Sequence, residues 1–215
     1  AALQQDPPGG HHARGLRDRG RPRGACHINM ESITFITGNA AKAQFLSEYC
    51  ERPFEHVKLD LPEIQSLDLR EVVEDKAKRA YAHVQKLVLV EDVSLVLLGL
   101  KKLPGPFIKS FVEALGDDGV CKLATQIGDR RAHVEILFAL YDGKEMKLFS
   151  GEMDGTIAEN PAGESGFGWD TVFINDGYDI TRAKMAEKDK EEWRVTGMRD
   201  KALVKIHDYF NSQKK

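Results

Sequence analysis

The sequence predicts a mixed α/β protein, with a two-lobed sheet and flanking helices. Apolar runs of strand length alternate with stretches of helical period between residues 30 and 127, and two long strand-like runs joined by a turn follow them. A chain of 215 residues, of which 41% are hydrophobic and 30% charged, has the composition of a globular protein. Its length suits one sizeable domain or two lobes that share a cleft.

The first half of the chain alternates between strands and helices. The helix predicted at 69–86 places its apolar residues along one stripe. The run at 87–90 is continuously apolar, which is typical of a strand buried on both faces, and it ends at Glu91 and Asp92. The predicted elements are a strand at 33–37, a helix at 40–49, an extended segment at 56–61, the helix at 69–86, the strand at 87–90, and helices at 108–115 and 119–127.

The second half is predicted to form a long β-ribbon, which would be the second lobe. Asp142-Gly143 lies between two strand-like runs and is a strong signal for a hairpin. A glycine-rich stretch, Pro161–Asp170, precedes the last short strand. The predicted elements are strands at 132–141, 144–157 and 171–174, and a final helix at 198–210.

Residues 1–29 differ in composition from the rest and are predicted to be disordered. They are rich in Gly, Pro, Arg and His and contain hardly any apolar residue that could join a core. We interpret them as a tail, or as an upstream extension of a domain at 30–215. A mitochondrial presequence is the less favoured alternative, because Asp6, Asp18 and the glycines interrupt an amphipathic helix.

Charge and cysteine content argue against several classes of protein. The chain has a net charge of −3, and five arginines against two aspartates give residues 1–29 a charge of +3, so the rest carries −6. An acidic domain is not expected to be a general nucleic-acid binder. No apolar run approaches the roughly 18 residues of a membrane span. Cys26, Cys50 and Cys121 are too scattered for a disulfide framework or a zinc site, so the cytoplasm, a reducing compartment, is predicted.

The turn after the first strand has the features of a phosphate cradle. Gly38 is expected to adopt backbone angles closed to other residues and to let a ligand approach the main chain. The N–H groups at the start of the next helix suit an anion, and Lys42 is placed to add a full charge. An ordinary strand-to-helix turn, capped by Thr37 or Asn39, explains the same residues equally well.

Acidic side chains are expected beside this turn. Asp92 directly follows a buried strand, with Glu91 beside it, and Glu63 follows another extended segment. In open α/β sheets, ligands bind outside the carboxyl ends of the strands. A polyphosphate lies beside carboxylates only when a cation mediates, and Mg²⁺ bridges carboxylate and phosphate oxygens. The alternative is that Glu91 and Asp92 are simply the polar end of a strand.

Two further segments combine a rigid backbone with groups that can bind a ligand. Leu103–Phe107 is a stiff turn that would hold Phe107 and Lys109 against a ligand, although a plain helix start explains it better without other support. Gly166–Asp170 is a tight loop that can present a ring face and a carboxylate to a nucleoside. The alternative is a β-bulge whose aromatic residues belong to the core.

Taken together and in this order, these segments resemble the inosine triphosphate pyrophosphatase (Ham1-like) family. The matching motifs are Thr37–Lys42, Leu61–Gln65, Val90–Asp92, Leu103–Lys109 and Phe167–Asp170. The likeness extends from about residue 33 to residue 210. Each motif is weak alone, but five in sequence are highly specific.

The resemblance implies an enzyme, its cofactor and its site residues. It implies a Mg²⁺-dependent hydrolase, with Mn²⁺ as a substitute ion, that cleaves deaminated purine nucleoside triphosphates (ITP, dITP, XTP) to a monophosphate and pyrophosphate. It also implies a homodimer and two α/β lobes around a cleft. Asp92 and Lys42 would be catalytic, and Glu63 and Asp92 would bind the metal. The implied substrate-binding residues are Thr37, Gly38, Asn39, Lys42, Lys109, Phe167, Gly168, Trp169, Asp170, Lys190 and Arg199.

One segment departs from the family pattern. The family reads the 6-keto group of the base with a Ser-His-Arg triplet, whereas this chain has Gly197-Met198-Arg199 after a longer segment. A thioether cannot donate the hydrogen bond that an imidazole can. Lys188 and Lys190 are both candidates for the family's lysine. A nucleotide-binding protein with weak or altered base specificity, and an enzyme that prefers other nucleotides, are therefore alternatives.

Overall fold

The computed structural model describes residues 33–213, so the predicted tail at 1–29 lies outside the described residues. The strands are β1 (Ile33–Ile36), β2 (Phe54–Val57), β3 (Val88–Leu97), β4 (Pro104–Gly105), β5 (Arg131–Tyr141), β6 (Met146–Ile157) and β7 (Phe173–Asn175). The helices are α1 (Ala40–Tyr49), α2 (Leu69–Val84), α3 (Ile108–Ile127), α4 (Arg182–Lys188), α5 (Lys190–Val195) and α6 (Met198–Ser212), with a short 3₁₀ helix at Leu98–Leu100. The predicted mixed α/β fold is confirmed.

All seven strands belong to one mixed sheet. Its order is β2-β1-β3-β5-β6-β7, and β4 pairs with β3 beside this path. β1 pairs in parallel with β2 and β3, whereas β3, β5, β6 and β7 pair antiparallel. The α/β half and the predicted ribbon, which is the β5–β6 hairpin, therefore share a continuous sheet.

Strand β3 is much longer than predicted. The prediction that it ends at Val90 is wrong, because β3 pairs with β5 from Val88 opposite Tyr141 to Leu97 opposite Ala132. Glu91 and Asp92 thus lie inside a strand. Cross-strand pairing with a long neighbour satisfies the backbone there, although the side chains are charged.

The helices agree with the prediction except in one segment. The two helices predicted at 108–115 and 119–127 form the two parts of α3, and the predicted break between them is confirmed, because the φ and ψ of Gly116 are not helical. Gly116 has a φ of +66°, which only glycine adopts readily. The short helices α4 and α5 were not predicted, because the segment at 182–195 is mostly charged and shows no apolar stripe.

The sheet has a hydrophobic core on each face, and this arrangement positions the site. Leu89 and Leu95 of β3 pack in one core with residues of α1, α3 and α6. Val88 and Val90 pack in the other core with residues of α2. Since successive side chains of a strand point to opposite faces, Glu91 lies on the first face and Asp92 on the second.

Among the helices between residues 33 and 213, none is both long enough and apolar enough to cross a bilayer.

Candidate active site

The turn between β1 and α1 places backbone N–H groups at the carboxyl edge of the sheet. Asn39 caps α1, since its Oδ1 accepts a hydrogen bond from the N–H of Ala41 at 3.0 Å. Thr37 Oγ1 accepts from the N–H of Asn39 at 3.2 Å. Within the described part of the chain, the N–H groups of Gly38 and Ala40 have no hydrogen-bond partner. These two donors remain available to an anion.

Gly38 opens this turn for a different reason from the one predicted. Its φ is not positive, so the expectation of backbone angles closed to other residues is wrong. A Cβ built on Gly38 would meet no atom within 4 Å. The absent side chain therefore leaves the approach to the main chain open, while the backbone itself is unstrained.

Glu91 is a buried carboxylate held between two cations. Lys42 Nζ donates to its Oε1 at 2.6 Å, and the Arg199 guanidinium pairs with both oxygens, with Nη2 to Oε1 at 3.1 Å. Burial, with only 8% of Glu91 exposed, raises the pKa of its carboxyl. The charges of Arg199 and Lys42 outweigh this effect and hold the pKa at about 2. Glu91 is therefore ionised throughout the neutral range and fixes both cations.

Glu63 and Asp92 converge on one ammonium group on the other side of β3. Lys76 Nζ of α2 lies 2.7 Å from Glu63 Oε1 and 3.1 Å from Asp92 Oδ2. Burial raises the pKa of Asp92, and Glu63 adds to this effect while Lys76 opposes it. Burial lowers the pKa of Lys76, but the two carboxylates outweigh it and raise the pKa. Glu63 and Asp92 therefore form an acid pair, which requires a cation between its two carboxylates.

The two charged clusters lie on opposite faces of β3 at the end of β1. β1 pairs with β3 as far as Phe35 opposite Leu89, so the turn at 37–39 runs past Glu91 and Asp92. Lys42 pairs with Glu91, with its Nζ 2.6 Å from Oε1, and does not pair with Asp92. The structure thus brings the predicted catalytic residues Lys42 and Asp92 near the carboxyl end of β1, on opposite faces of β3 and without direct contact.

A cleft of about 890 Å³ opens on the Glu91 face. Its walls combine apolar side chains, such as Phe45, Phe138 and Met198, with charged groups. The predicted substrate-binding residues that line it are Asn39, Lys42, Phe167, Trp169, Asp170, Lys190 and Arg199. A cleft of this size, with an apolar interior and cations at one side, suits a small anionic ligand with an aromatic part.

The loop at 166–170 has one aromatic side chain packed in the core and another that is exposed. Trp169 is buried and meets Phe173 edge-on with ring centroids 5.4 Å apart, whereas Phe167 is 59% exposed. Asp170 Oδ2 accepts from the N–H of Phe167 at 3.0 Å. The loop is a turn rather than a β-bulge, and its exposed ring is that of Phe167.

Asp170 is fully engaged with protein groups. The Arg182 guanidinium lies 3.2 Å from its Oδ1, and the Trp193 indole donates to its Oδ2 at 2.9 Å. Burial raises the pKa of Asp170, against the opposing charge of Arg182. Asp170 therefore links the loop, α4 and α5 around the cleft.

Comparison with known proteins identifies the fold family. A family model described as the Ham1 family matches residues 33–209. The chain belongs to the Ham1 family. The resemblance predicted from the five motifs is thereby confirmed.

Two proteins that are similar to this chain are named for an activity. Inosine triphosphate pyrophosphatase 2 of Trypanosoma cruzi is 41% identical over 182 residues, which are 83% of this chain and 91% of that protein. Inosine triphosphate pyrophosphatase 1 of the same organism is 40% identical over the same shares. A Ham1 protein from Coxiella burnetii, at 22% identity, superposes with a TM-score of 0.75 over 85% of this chain and all of that chain, which supports the fold.

Three lysines implied by the Ham1 resemblance occupy different positions. Lys190, the first residue of α5, lines the cleft, whereas Lys188 does not. The Lys109 side chain is 85% exposed, lies 3.8 Å from Glu113 Oε1 and does not line the cleft. The roles of Lys109 and Lys190 in binding stay predictions.

Sequence reasoning missed three residues that shape the site. Lys76 could have been noticed, because it interrupts the apolar stripe of α2 between Val72 and Ala80. Trp193 could have been noticed as an aromatic residue in a charged segment. Arg182, which is buried against Asp170, gives no such signal in the sequence.

The residues fit a divalent metal only as a two-carboxylate site. In the described range, no group of three or more His, Cys, Asp or Glu side chains is placed to hold a metal ion. Glu63 and Asp92 nevertheless converge on the same Lys76 ammonium. Mg²⁺ is commonly bound by one or two carboxylates together with substrate phosphates and water. The acid pair therefore fits an ion that arrives with a polyphosphate.

Proposed function

We propose that the protein hydrolyses deaminated purine nucleoside triphosphates (ITP, dITP and XTP) to the monophosphate and pyrophosphate. The observation that carries the proposal is the 41% identity, over 83% of the chain, to a protein named inosine triphosphate pyrophosphatase. The cleft supports it, because apolar walls and cations lie side by side there. No feature of the described residues favours a protein that binds nucleotides without turnover.

The substrate would lie with its base in the cleft and its phosphates at the turn. The N–H groups of Gly38 and Ala40, which have no partner among residues 33–213, suit phosphate oxygens, and Lys42 adds a charge next to them. Lys42 is already held by Glu91, so its ammonium is positioned before the substrate binds. Preorganised charge of this kind needs little rearrangement during the reaction.

Glu63 and Asp92 would hold Mg²⁺, with Mn²⁺ as a substitute. When bound, the ion supplies positive charge that stabilises the negative phosphate oxygens. In the structure the Lys76 ammonium lies between these two carboxylates, and it would add positive charge beside the site that holds the ion.

Hydrolysis would break the bond between the α-phosphorus and the bridging oxygen of the leaving pyrophosphate. Asp92 would orient the attacking water, and Lys42 would neutralise charge that develops on the leaving group. No side chain is required as a covalent nucleophile. Electrostatic stabilisation and positioning would supply most of the catalysis.

The proposal is tested by product analysis with a panel of triphosphates. The protein is incubated with Mg²⁺ and the triphosphate of inosine, xanthosine, guanosine or adenosine, and products are separated by anion exchange. We expect monophosphate and pyrophosphate from the inosine and xanthosine substrates. Release of orthophosphate, or binding without any product, would contradict the proposal.

The protein is further proposed to act as a homodimer in the cytoplasm. The homodimer follows from the family resemblance, and a dimer interface would cover large apolar side chains that are exposed here, such as Leu98, Leu103 and Leu115. Light scattering during size-exclusion chromatography would measure the mass. A mass of one chain at micromolar concentration would contradict the dimer.

A further inference from the structure

Trp193 lines the cleft although no motif assigns it a role. It lies on α5, in the segment where the chain departs from the family pattern, and it is half-buried. It faces the same cleft as Lys42, Arg199 and Phe167. An indole exposed to a ligand cleft needs an explanation, because its apolar surface would be better covered.

The Trp193 side chain is held by two buried charged groups. Its Nε1 donates to Asp170 at 2.9 Å, and the Arg182 guanidinium lies 5.4 Å from the ring centroid, within cation–π range. Asp170 and Arg182 are 5% and 4% exposed. The indole is therefore fixed before a ligand arrives, which lowers the entropy lost on binding.

Phe167 extends the aromatic surface. Its ring centroid is 5.8 Å from that of Trp193, and the two planes differ by 36°. Phe167 is one of the most exposed large apolar side chains among residues 33–213. Both rings line the cleft, so a flat heterocycle that enters it meets two aromatic side chains.

We propose that Trp193, beside the Phe167 ring that the family resemblance already implies in substrate binding, stacks on the purine base of the nucleotide. The proposal rests on the proposed function and specifies how that site binds the base. Lys42 and Arg199 on the same cleft attract the anionic part of the ligand, so the ligand has an aromatic and an anionic end. Every purine has a π-face, so stacking gives affinity that does not depend on the group at position 6. This contribution suits a chain with Met198 in place of a hydrogen-bond donor.

A purely structural role for Trp193 makes a different prediction. The indole N–H also holds α5 to Asp170, so the loss of Trp193 could act through α5 alone. Trp193→Phe keeps a ring and removes the N–H, whereas Trp193→Leu keeps apolar volume and removes the ring. Tyr178→Phe is a matched control, because it removes the hydrogen bond from Tyr178 to Glu192 of α5 and Tyr178 does not line the cleft.

The experiment measures dissociation constants of inosine and adenosine 5′-monophosphate by titration calorimetry on the full chain. We expect Trp193→Leu to weaken both nucleotides by about 5-fold to 150-fold, by the same factor for each. Trp193→Phe and Tyr178→Phe should weaken them by less than about 3-fold, which is below the roughly 5-fold loss expected from the smallest stacking contribution. Equal damage from Trp193→Phe and Trp193→Leu would assign Trp193 to holding α5 and overturn the proposal. So would an unchanged affinity in Trp193→Leu.

A second measurement uses the wild-type chain and does not depend on how the variants fold. The chain has two tryptophans that both line the cleft, but Trp169 is only 8% exposed and packs edge-on against Phe173. A purine stacked on Trp193 is expected to quench the fluorescence of the indole. Half of the total decrease in fluorescence should occur at a nucleotide concentration equal to the calorimetric dissociation constant. Absence of quenching on binding would contradict stacking. Because monophosphate binding needs no turnover, stacking can hold even if the triphosphate assay fails, so the two proposals fail separately.

Discussion

Replacing Glu91 by Gln tests whether the buried carboxylate organises the cation side of the site. Gln keeps the volume of the side chain and a carbonyl acceptor but removes the charge shared by Lys42 and Arg199. The two cations then face each other without a counterion. Removing one partner of a buried ion pair is strongly destabilising, because the remaining charge is left uncompensated.

The size of the effect follows from the pKa of Glu91. Folding lowers this pKa from 4.5 to about 2, through Arg199 and Lys42 acting against burial. A shift of this size corresponds to about 3 kcal/mol of stability at neutral pH. Lys42 and Arg199 are about one-third exposed, so water solvates the released charges in part and about 3 kcal/mol is an upper value.

The stability contribution also has a defined pH dependence. A carboxyl whose pKa is depressed by folding stabilises the protein above its unfolded pKa, and this contribution disappears as pH falls toward the folded pKa. The stability difference between wild type and Glu91→Gln should therefore be largest near neutral pH. It should shrink by about 1 kcal/mol by about pH 3.5.

Urea denaturation followed by circular dichroism provides the assay for Glu91→Gln. Glu55→Gln is the matched control, since Glu55 pairs with Lys86 at 3.0 Å on the exposed surface and its loss should change stability little. A Glu91→Gln protein as stable as wild type at neutral pH would refute the reasoning. A stability difference that stays constant from pH 7 to pH 3.5 would refute it too.

Three further predictions concern the metal and the base. Asp92→Asn should lower kcat by about 100-fold or more, and near-normal turnover would show that the assignment is wrong. The free energy of unfolding of this variant, measured by urea denaturation at neutral pH, should be unchanged or higher, because folding raises the pKa of Asp92 and so disfavours its ionised form. Mg²⁺ should raise the melting temperature of wild type in the presence of pyrophosphate, the proposed product, and Glu63→Gln should reduce that shift, whereas equal shifts would place the ion elsewhere. Met198→His should raise kcat/KM for inosine triphosphate relative to that for adenosine triphosphate by about 10-fold, which corresponds to the net free energy of one hydrogen bond. If the ratio of the two values is unchanged, another group recognises position 6 of the base.

Local features of the sequence were enough to predict much of the fold. Helix α1 occurs at the predicted residues 40–49, and α2 begins at the predicted Leu69. Both helices begin after a capping residue, Asn39 and Asp68, whose side chain accepts a backbone hydrogen bond. Such signals depend on neighbours in the chain and can be recognised without tertiary contacts.

Features that depend on distant residues were not predictable in the same way. The length of β3 is set by its pairing with β5, more than thirty positions later in the chain at Leu97 opposite Ala132. The partners of Glu91, one of which is 108 positions away, and the position of Lys76 between two acids also require the folded chain. The sequence thus predicted several residues of the site, whereas their pairing became visible only in the structure.

The most direct test of the central claim is hydrolysis of inosine triphosphate in ¹⁸O-labelled water with Mg²⁺. Phosphorus NMR and mass spectrometry would identify the products and the position of the label. We predict pyrophosphate together with inosine monophosphate that carries one labelled oxygen, since water attacks the α-phosphorus. Label in the pyrophosphate, formation of orthophosphate, or no turnover would contradict the account.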